Sequence, residues 1–251
     1  MDVTASMDGF VQFLRRARRA YARRGAVEFL KLGAANLKLA LTGEAEAHRY
    51  VHDRGFDRTY STDTSGVLET DEILAPDGLK GGAMRYEATP AECFDFLLSQ
   101  SGVGTPADYA FVDIGSGKGR VVILAALAGF GRVIGVEMGA NLHQSAEDNL
   151  LRLCNAGRSL PVTLVHGDAT RFDFPPLPTV CFLNNPFDAE LLAALLDNLE
   201  RSLHAAPRPM TLIYLHAVAA SVIEARPCWR ERTRGCYQSE RHPYAVFEWN
   251  G

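Results

Sequence analysis

The sequence predicts an α/β protein: a mostly parallel sheet with helices on both faces, closed by a C-terminal antiparallel hairpin and preceded by a helical extension. Three observations predict it. From residue 109 onward, short apolar runs alternate with longer amphipathic ones, the order that builds a parallel sheet. The short runs (YAFVDI, RVIGV, PVTLVH, TVCFLN, TLIYLHA) are apolar at nearly every position, as strands covered on both faces must be. The tail then changes period. WRERTRGCYQ and YAVFEWN alternate around the turn-like SERHP, which reads as a hairpin.

The chain's 251 residues suffice for one such domain plus an appended piece. A hydrophobic content of 47% and a charged content of 22% are ordinary for a soluble globular protein. The net charge of −4 gives no reason to expect nucleic acid to be gripped by the surface as a whole. No apolar run approaches the roughly 20 residues of a membrane span. Cys93, Cys154, Cys181, Cys228 and Cys236 form no C-x-x-C pair and have no histidine at metal-ligand spacing. Reduced thiols, a cytoplasmic setting and no metal site are therefore expected.

Residues 1–85 read as a helical, loop-rich lid or cap. FVQFLRRARRAYARRG sets Phe10, Phe13, Leu14, Ala17 and Tyr21 at helical spacing, and the first 42 residues carry eight Lys or Arg against three acids. Over residues 10–42 this basic helix suits a capping element, with a membrane surface or a polyanion as alternative contacts. Residues 48–85 concentrate Gly, Asp, Ser and Thr. A helix then starts near Pro90, with Thr89 as its expected N-cap and Phe94, Leu97 and Leu98 on its buried stripe.

The chemistry centres on VDIGSGKGR, residues 112–120. A phosphate-binding P-loop needs G-x-x-x-x-G-K-[ST], but Val112 stands at the first glycine and Gly119 at the hydroxyl position. A dinucleotide loop needs G-x-G-x-x-G, and Arg120 stands at the third glycine. The acids discriminate better. Asp113 ends the first strand, Glu137 the second, and Asp168 follows the third. All three should meet at the carboxyl edge of the sheet, where open α/β folds bind ligands. Such a rim repels a pyrophosphate and suits a ligand with a ribose, an adenine, an amino group and a cationic sulfonium.

VDIGSGKG, the acid of GVE, GDA and NNPF together resemble the class I S-adenosylmethionine-dependent methyltransferases, in order, over residues 86–251. The resemblance implies a Rossmann-like seven-stranded sheet with six strands parallel and one reversed. It implies S-adenosyl-L-methionine as cofactor, with S-adenosyl-L-homocysteine as product. It places the methionine part by Asp113, Gly115, Ser116 and Gly117, the ribose by Glu137 and Met138, and the adenine by Asp168 and Ala169. Tyr86 and Thr89, from a Y-x-x-T-P segment, would close over the cofactor, and Asn185 would border it. Lys118 is expected to be an exposed, variable loop residue.

Asn184-Asn185-Pro186-Phe187 resembles the (D/N)-P-P-(Y/F) signature of N-methyltransferases, with Asn185 in place of the first proline. It implies that Asn184 and a backbone carbonyl accept hydrogen bonds from an amine and that Phe187 packs on it. VDIGSGKGRVV, GVE and the Asn pair also resemble the non-SET (Dot-type) histone-lysine methyltransferases. The acceptor expected is thus an amine, on a small molecule or a protein lysine. O- or C-methylation of a metabolite is the alternative, and it would need a base, for which His216 at the end of the fifth strand is the candidate. A catalytically silent cofactor-binding subunit is a further alternative.

Overall fold

Five apolar runs form five parallel strands: β3 (Ala110–Ile114), β4 (Arg132–Glu137), β5 (Val162–His166), β6 (Thr179–Asn184) and β7 (Met210–Leu215). The tail supplies β8 (Trp229–Tyr237) and β9 (His242–Trp249), and the sheet order is β5-β4-β3-β6-β7-β9-β8. Only β9 runs against the others, since it is antiparallel to both β7 and β8. The computed structural model describes residues 55–74, 85–238 and 242–251; the basic helix expected within residues 10–42 lies outside the described residues.

Helices α1 (Ala91–Gln100), α2 (Arg120–Leu127) and α3 (Ala140–Asn155) follow β-strand or loop segments on one path along the chain, and α4 (Ala189–Ala205) and α5 (Ala220–Glu224) on the next. On one face, Phe94 of α1 meets Phe111 and Phe182 of the sheet, with ring centroids 5.8 Å and 6.2 Å apart. On the other, α4 buries Leu192, Leu195, Leu196, Leu199 and Leu203, spaced to fall on one stripe. Burial of each such leucine contributes about 1.5–3 kcal/mol. Asp188 starts α4 by accepting from the Leu191 N–H at 3.0 Å.

The chain order reverses at β3, which has β4 on one side and β6 on the other. The carboxyl ends of β3, β4, β5 and β6 therefore bound a crevice, with Asp113, Glu137, Asp168 and Asn184 at or just beyond those ends in turn.

Residues 55–74 dock beside this crevice. A short strand β1 (Val67–Leu68) pairs antiparallel with β2 (Tyr86–Glu87). Asp57 organises the loop between them and the helical residues 55–60: its carboxylate accepts from the Thr62 hydroxyl and from the N–H and hydroxyl of both Thr64 and Ser65. Burial alone would raise its pKa, but these donors outweigh it and hold it at about 2.

Candidate active site

The turn after β3 is built around glycine for two separate reasons. Gly115 has φ +72°, and a Cβ there would lie 2.7 Å from Pro186 Cβ. Gly117 has φ +55°, and a Cβ there would lie 2.2 Å from Cε2 at the edge of the Tyr86 ring. The turn is pinned to β4: the Gly115 and Ser116 N–H groups both donate to the Val136 carbonyl. Glu137 adds two more bonds, accepting from Gly117 N at 2.8 Å on Oε2 and from Gly139 N at 2.7 Å on Oε1.

Asp113 and Glu137 are both buried, at 3% and 8% exposure, and both line the crevice. Burial pushes the Asp113 carboxyl well above the usual carboxylate range, and the neighbouring Glu137 charge pushes it further. Burial also raises Glu137, against the lowering effect of its backbone donors. Two acids held in this way favour a cation between or beside them. Asp168 lines the same crevice one strand further out, where its Oδ1 accepts from the Thr170 N–H and hydroxyl. Ser116 contributes a buried hydroxyl that lines the crevice and has no hydrogen-bond partner among the described residues. Such a group calls for a ligand or water.

On the acceptor side the Asn pair divides. Asn184 lines the crevice, and its Nδ2 donates to the Glu87 carbonyl and the Thr89 hydroxyl, each at 3.2 Å. Its Oδ1 lies 2.8 Å from His216 Nδ1. Asn185 does not line the crevice: it sits at φ +44°, and its Oδ1 accepts from the Tyr214 hydroxyl at 2.9 Å. The left-handed turn at Asn185 sends its side chain back toward β7, which corrects its expected place beside the cofactor. His216 is likewise not among the lining residues but stands behind Asn184. Phe187, with Pro186, lines the crevice as expected.

Tyr86, Thr89, Met138 and Ala169 also line it. Gly117 does not, because the Tyr86 ring covers it. Thr89 is not the cap of α1: Pro90 occupies that position, and the Thr89 hydroxyl is taken by Asn184. Lys118 is not an exposed loop residue; its side chain is 13% exposed, with Nζ donating to the Ser65 carbonyl at 3.0 Å.

Arg120, which no motif in the sequence singles out, lines the crevice while 2% exposed. Its guanidinium donates to the Thr64 and Ser65 hydroxyls at 2.7 Å and 3.0 Å and lies over the Phe56 ring. A charge at the head of the apolar run VVILAAL was the available signal, since a buried guanidinium must be paired. Ile73 and Leu142, apolar walls of the crevice near Glu137 and Gly139, carried no signal.

No family model matches the chain, and no curated protein matches it in sequence. Solved structures do match. The chain is similar to precorrin-6y C5,15-methyltransferase from Geobacter metallireducens GS-15, with a TM-score of 0.50 and 19% identity over 72% of this chain and 94% of that one. It is also similar to TrmN from Thermus thermophilus, with a TM-score of 0.51 and 17% identity over 65% of this chain and 49% of that one, about half its length. The fold is that of the Rossmann-like methyltransferases. The similarity supports that fold in general. Among the described residues, no helix is long and apolar enough to cross a membrane.

Proposed function

We propose that this protein transfers a methyl group from S-adenosylmethionine to the nitrogen of an amine, on a small molecule or a protein lysine. The donors of the crevice fit the cofactor. Glu137 lines the crevice as a carboxylate held by backbone donors, the acceptor that ribose hydroxyls need. Asp168 and Ala169 stand where an adenine would lie, with Ile73 and Leu142 as its apolar walls. Asp113 and the unpartnered Ser116 hydroxyl suit the amino group of the methionine part. S-adenosylmethionine supplies an electrophilic methyl on a cationic sulfonium; the protein's task is to hold the acceptor in line and exclude water.

The observation that carries the amine reading is the state of the Asn184 amide. Both of its N–H bonds are committed, to the Glu87 carbonyl and the Thr89 hydroxyl. Its Oδ1 takes one bond from His216, which leaves one lone pair. Toward a substrate, Asn184 can therefore only accept a hydrogen bond. An amine gives an N–H to that oxygen and keeps its own lone pair for the methyl. Phe187, lining the same crevice, gives the acceptor a ring to pack on. O- or C-methylation would call for a base in the crevice, and His216 lies behind Asn184 instead.

Transfer of a labelled methyl group from S-adenosylmethionine into fractionated lysate tests the proposal. The expected product carries the label on nitrogen. Label on oxygen or carbon overturns the amine reading. Tight cofactor binding with no labelled product in any fraction favours a silent binding subunit.

A further inference from the structure

The polar chain that starts at Asn184 does not end at His216. His216 Nε2 lies 2.9 Å from His242 Nδ1, the rings tilted with centroids 5.1 Å apart. The three side chains come from three neighbouring strands: Asn184 ends β6, His216 follows β7, and His242 opens β9. The backbone enforces the meeting. His216 sits at φ +51°, a conformation that costs a non-glycine residue on the order of 1 kcal/mol, and its N–H donates to the Pro243 carbonyl at 2.6 Å.

The proton positions in this chain follow from one fixed point. The Glu87 carbonyl can only accept, so the Asn184 atom facing it is the amide nitrogen and the atom facing His216 is Oδ1. A carbonyl oxygen cannot donate, so His216 carries a proton on Nδ1. In a neutral ring Nε2 is then an acceptor, and two lone pairs would repel at 2.9 Å. With His216 neutral, His242 donates from Nδ1.

We propose that His242 is a positioning residue for the acceptor amine: by donating to His216 Nε2 it holds His216 in the tautomer whose Nδ1–H binds Asn184 Oδ1, and so aims the remaining lone pair of that oxygen into the crevice. The proposal rests on the reading of Asn184 as the acceptor-binding amide. Without His242, Nε2 loses its donor, the His216 tautomer is held by Asn184 Oδ1 alone, and that oxygen loses a fixed partner although the amide nitrogen keeps its two bonds.

The test needs no knowledge of the acceptor. Sinefungin is an adenosyl analogue with a primary amine where the transferable methyl would sit, whereas S-adenosylhomocysteine has none there. The ratio of their dissociation constants on the full-length protein reads the strength of the amine contact. Wild type is expected to prefer sinefungin by about tenfold, the effect of one net hydrogen bond. Asn184→Ala removes the preference. His242→Ala removes most of it while S-adenosylhomocysteine binds as in wild type. His242→Asn, which restores a donor near the Nδ1 position, recovers it. Long-range proton–nitrogen spectra of histidine-labelled protein give the second readout: His216 protonated on Nδ1 in wild type and His242→Asn, and mixed or inverted in His242→Ala.

A preference lost in Asn184→Ala but kept in His242→Ala, or a His216 tautomer unchanged in His242→Ala, overturns the positioning role and leaves the amine reading intact. Equal losses in His242→Ala and His242→Asn, with both proteins folded, also overturn it. No binding of S-adenosylhomocysteine to wild type removes the functional reading itself.

Discussion

Replacing Glu137 by Gln separates the two tasks of that carboxylate. In the protein, Oε2 accepts from Gly117 N at 2.8 Å and Oε1 from Gly139 N at 2.7 Å. Glutamine has the same shape but only one oxygen, so its amide nitrogen must face one of the two N–H groups, donor against donor. One bond to a charged acceptor contributes about 1.5–3 kcal/mol. The fold loses less than that, because the ionised carboxyl is itself disfavoured by burial and the neutral amide is not. A net loss near 1 kcal/mol lowers the melting temperature by about 2–4 °C for a unit of this size. Binding is affected separately: ribose hydroxyls that meet an amide instead of a carboxylate lose about 1.5–3 kcal/mol, or roughly tenfold to 150-fold in affinity. Titration calorimetry with S-adenosylhomocysteine and a thermal melt without ligand measure the two effects. A lowered melting temperature with affinity changed less than twofold would refute the ribose assignment and leave Glu137 as a brace for the glycine turn.

Asp113→Asn should act in opposite directions on stability and binding. Burial raises the Asp113 pKa above its unfolded value, so its contribution to stability is full below the ordinary carboxylate range and is lost as pH rises through the raised value. Ligand-free melts of wild type should fall across that window, while the Asn variant falls less steeply, since Glu137, also raised by burial, still titrates. The variant should also bind S-adenosylmethionine less tightly at neutral pH; parallel melting curves would refute this. Gly117→Ala combines a left-handed φ, costing about 1–2 kcal/mol, with a collision against the Tyr86 ring. It should weaken cofactor binding, and adding Tyr86→Ala should recover part of the lost stability by removing the collision; a purely additive double variant would show that the ring moves aside freely.

The sheet was readable because its central strands are buried on both faces, which leaves continuous apolar runs such as AFVDI and TVCFLN with their last residues at the ligand edge. The acids were readable for the same reason: a charge at the end of such a run has nowhere to go except the crevice. The Asn pair was not fully readable. Which of two adjacent side chains faces the crevice depends on φ +44° at Asn185, and the sequence offers asparagine, tolerant of that conformation, at both positions.

Lys118 and Arg120 were misread or missed for a different reason. Their partners, Ser65 and Thr64, lie more than fifty residues earlier, in a stretch whose composition says only loop. That stretch is ordered by one half-buried carboxylate, Asp57, which gathers Thr62, Thr64 and Ser65 so that the Thr64 and Ser65 hydroxyls can in turn receive Arg120. The same arrangement lets the Thr64 carbonyl accept from the Tyr86 hydroxyl, which holds the ring over Gly117. The Tyr86 and Arg120 side of the crevice is therefore held by a segment outside the parallel sheet, through hydrogen bonds whose loss has a clear order. Replacing Asp57 by Ala should free Thr64 first, then Arg120 and Tyr86 together. Cofactor affinity and the protection of residues 55–74 from hydrogen exchange should fall in the same variant, although Asp57 itself is not among the residues that line the crevice. Retained affinity in a variant whose 55–74 segment exchanges freely would show that the sheet edge alone holds the ligand.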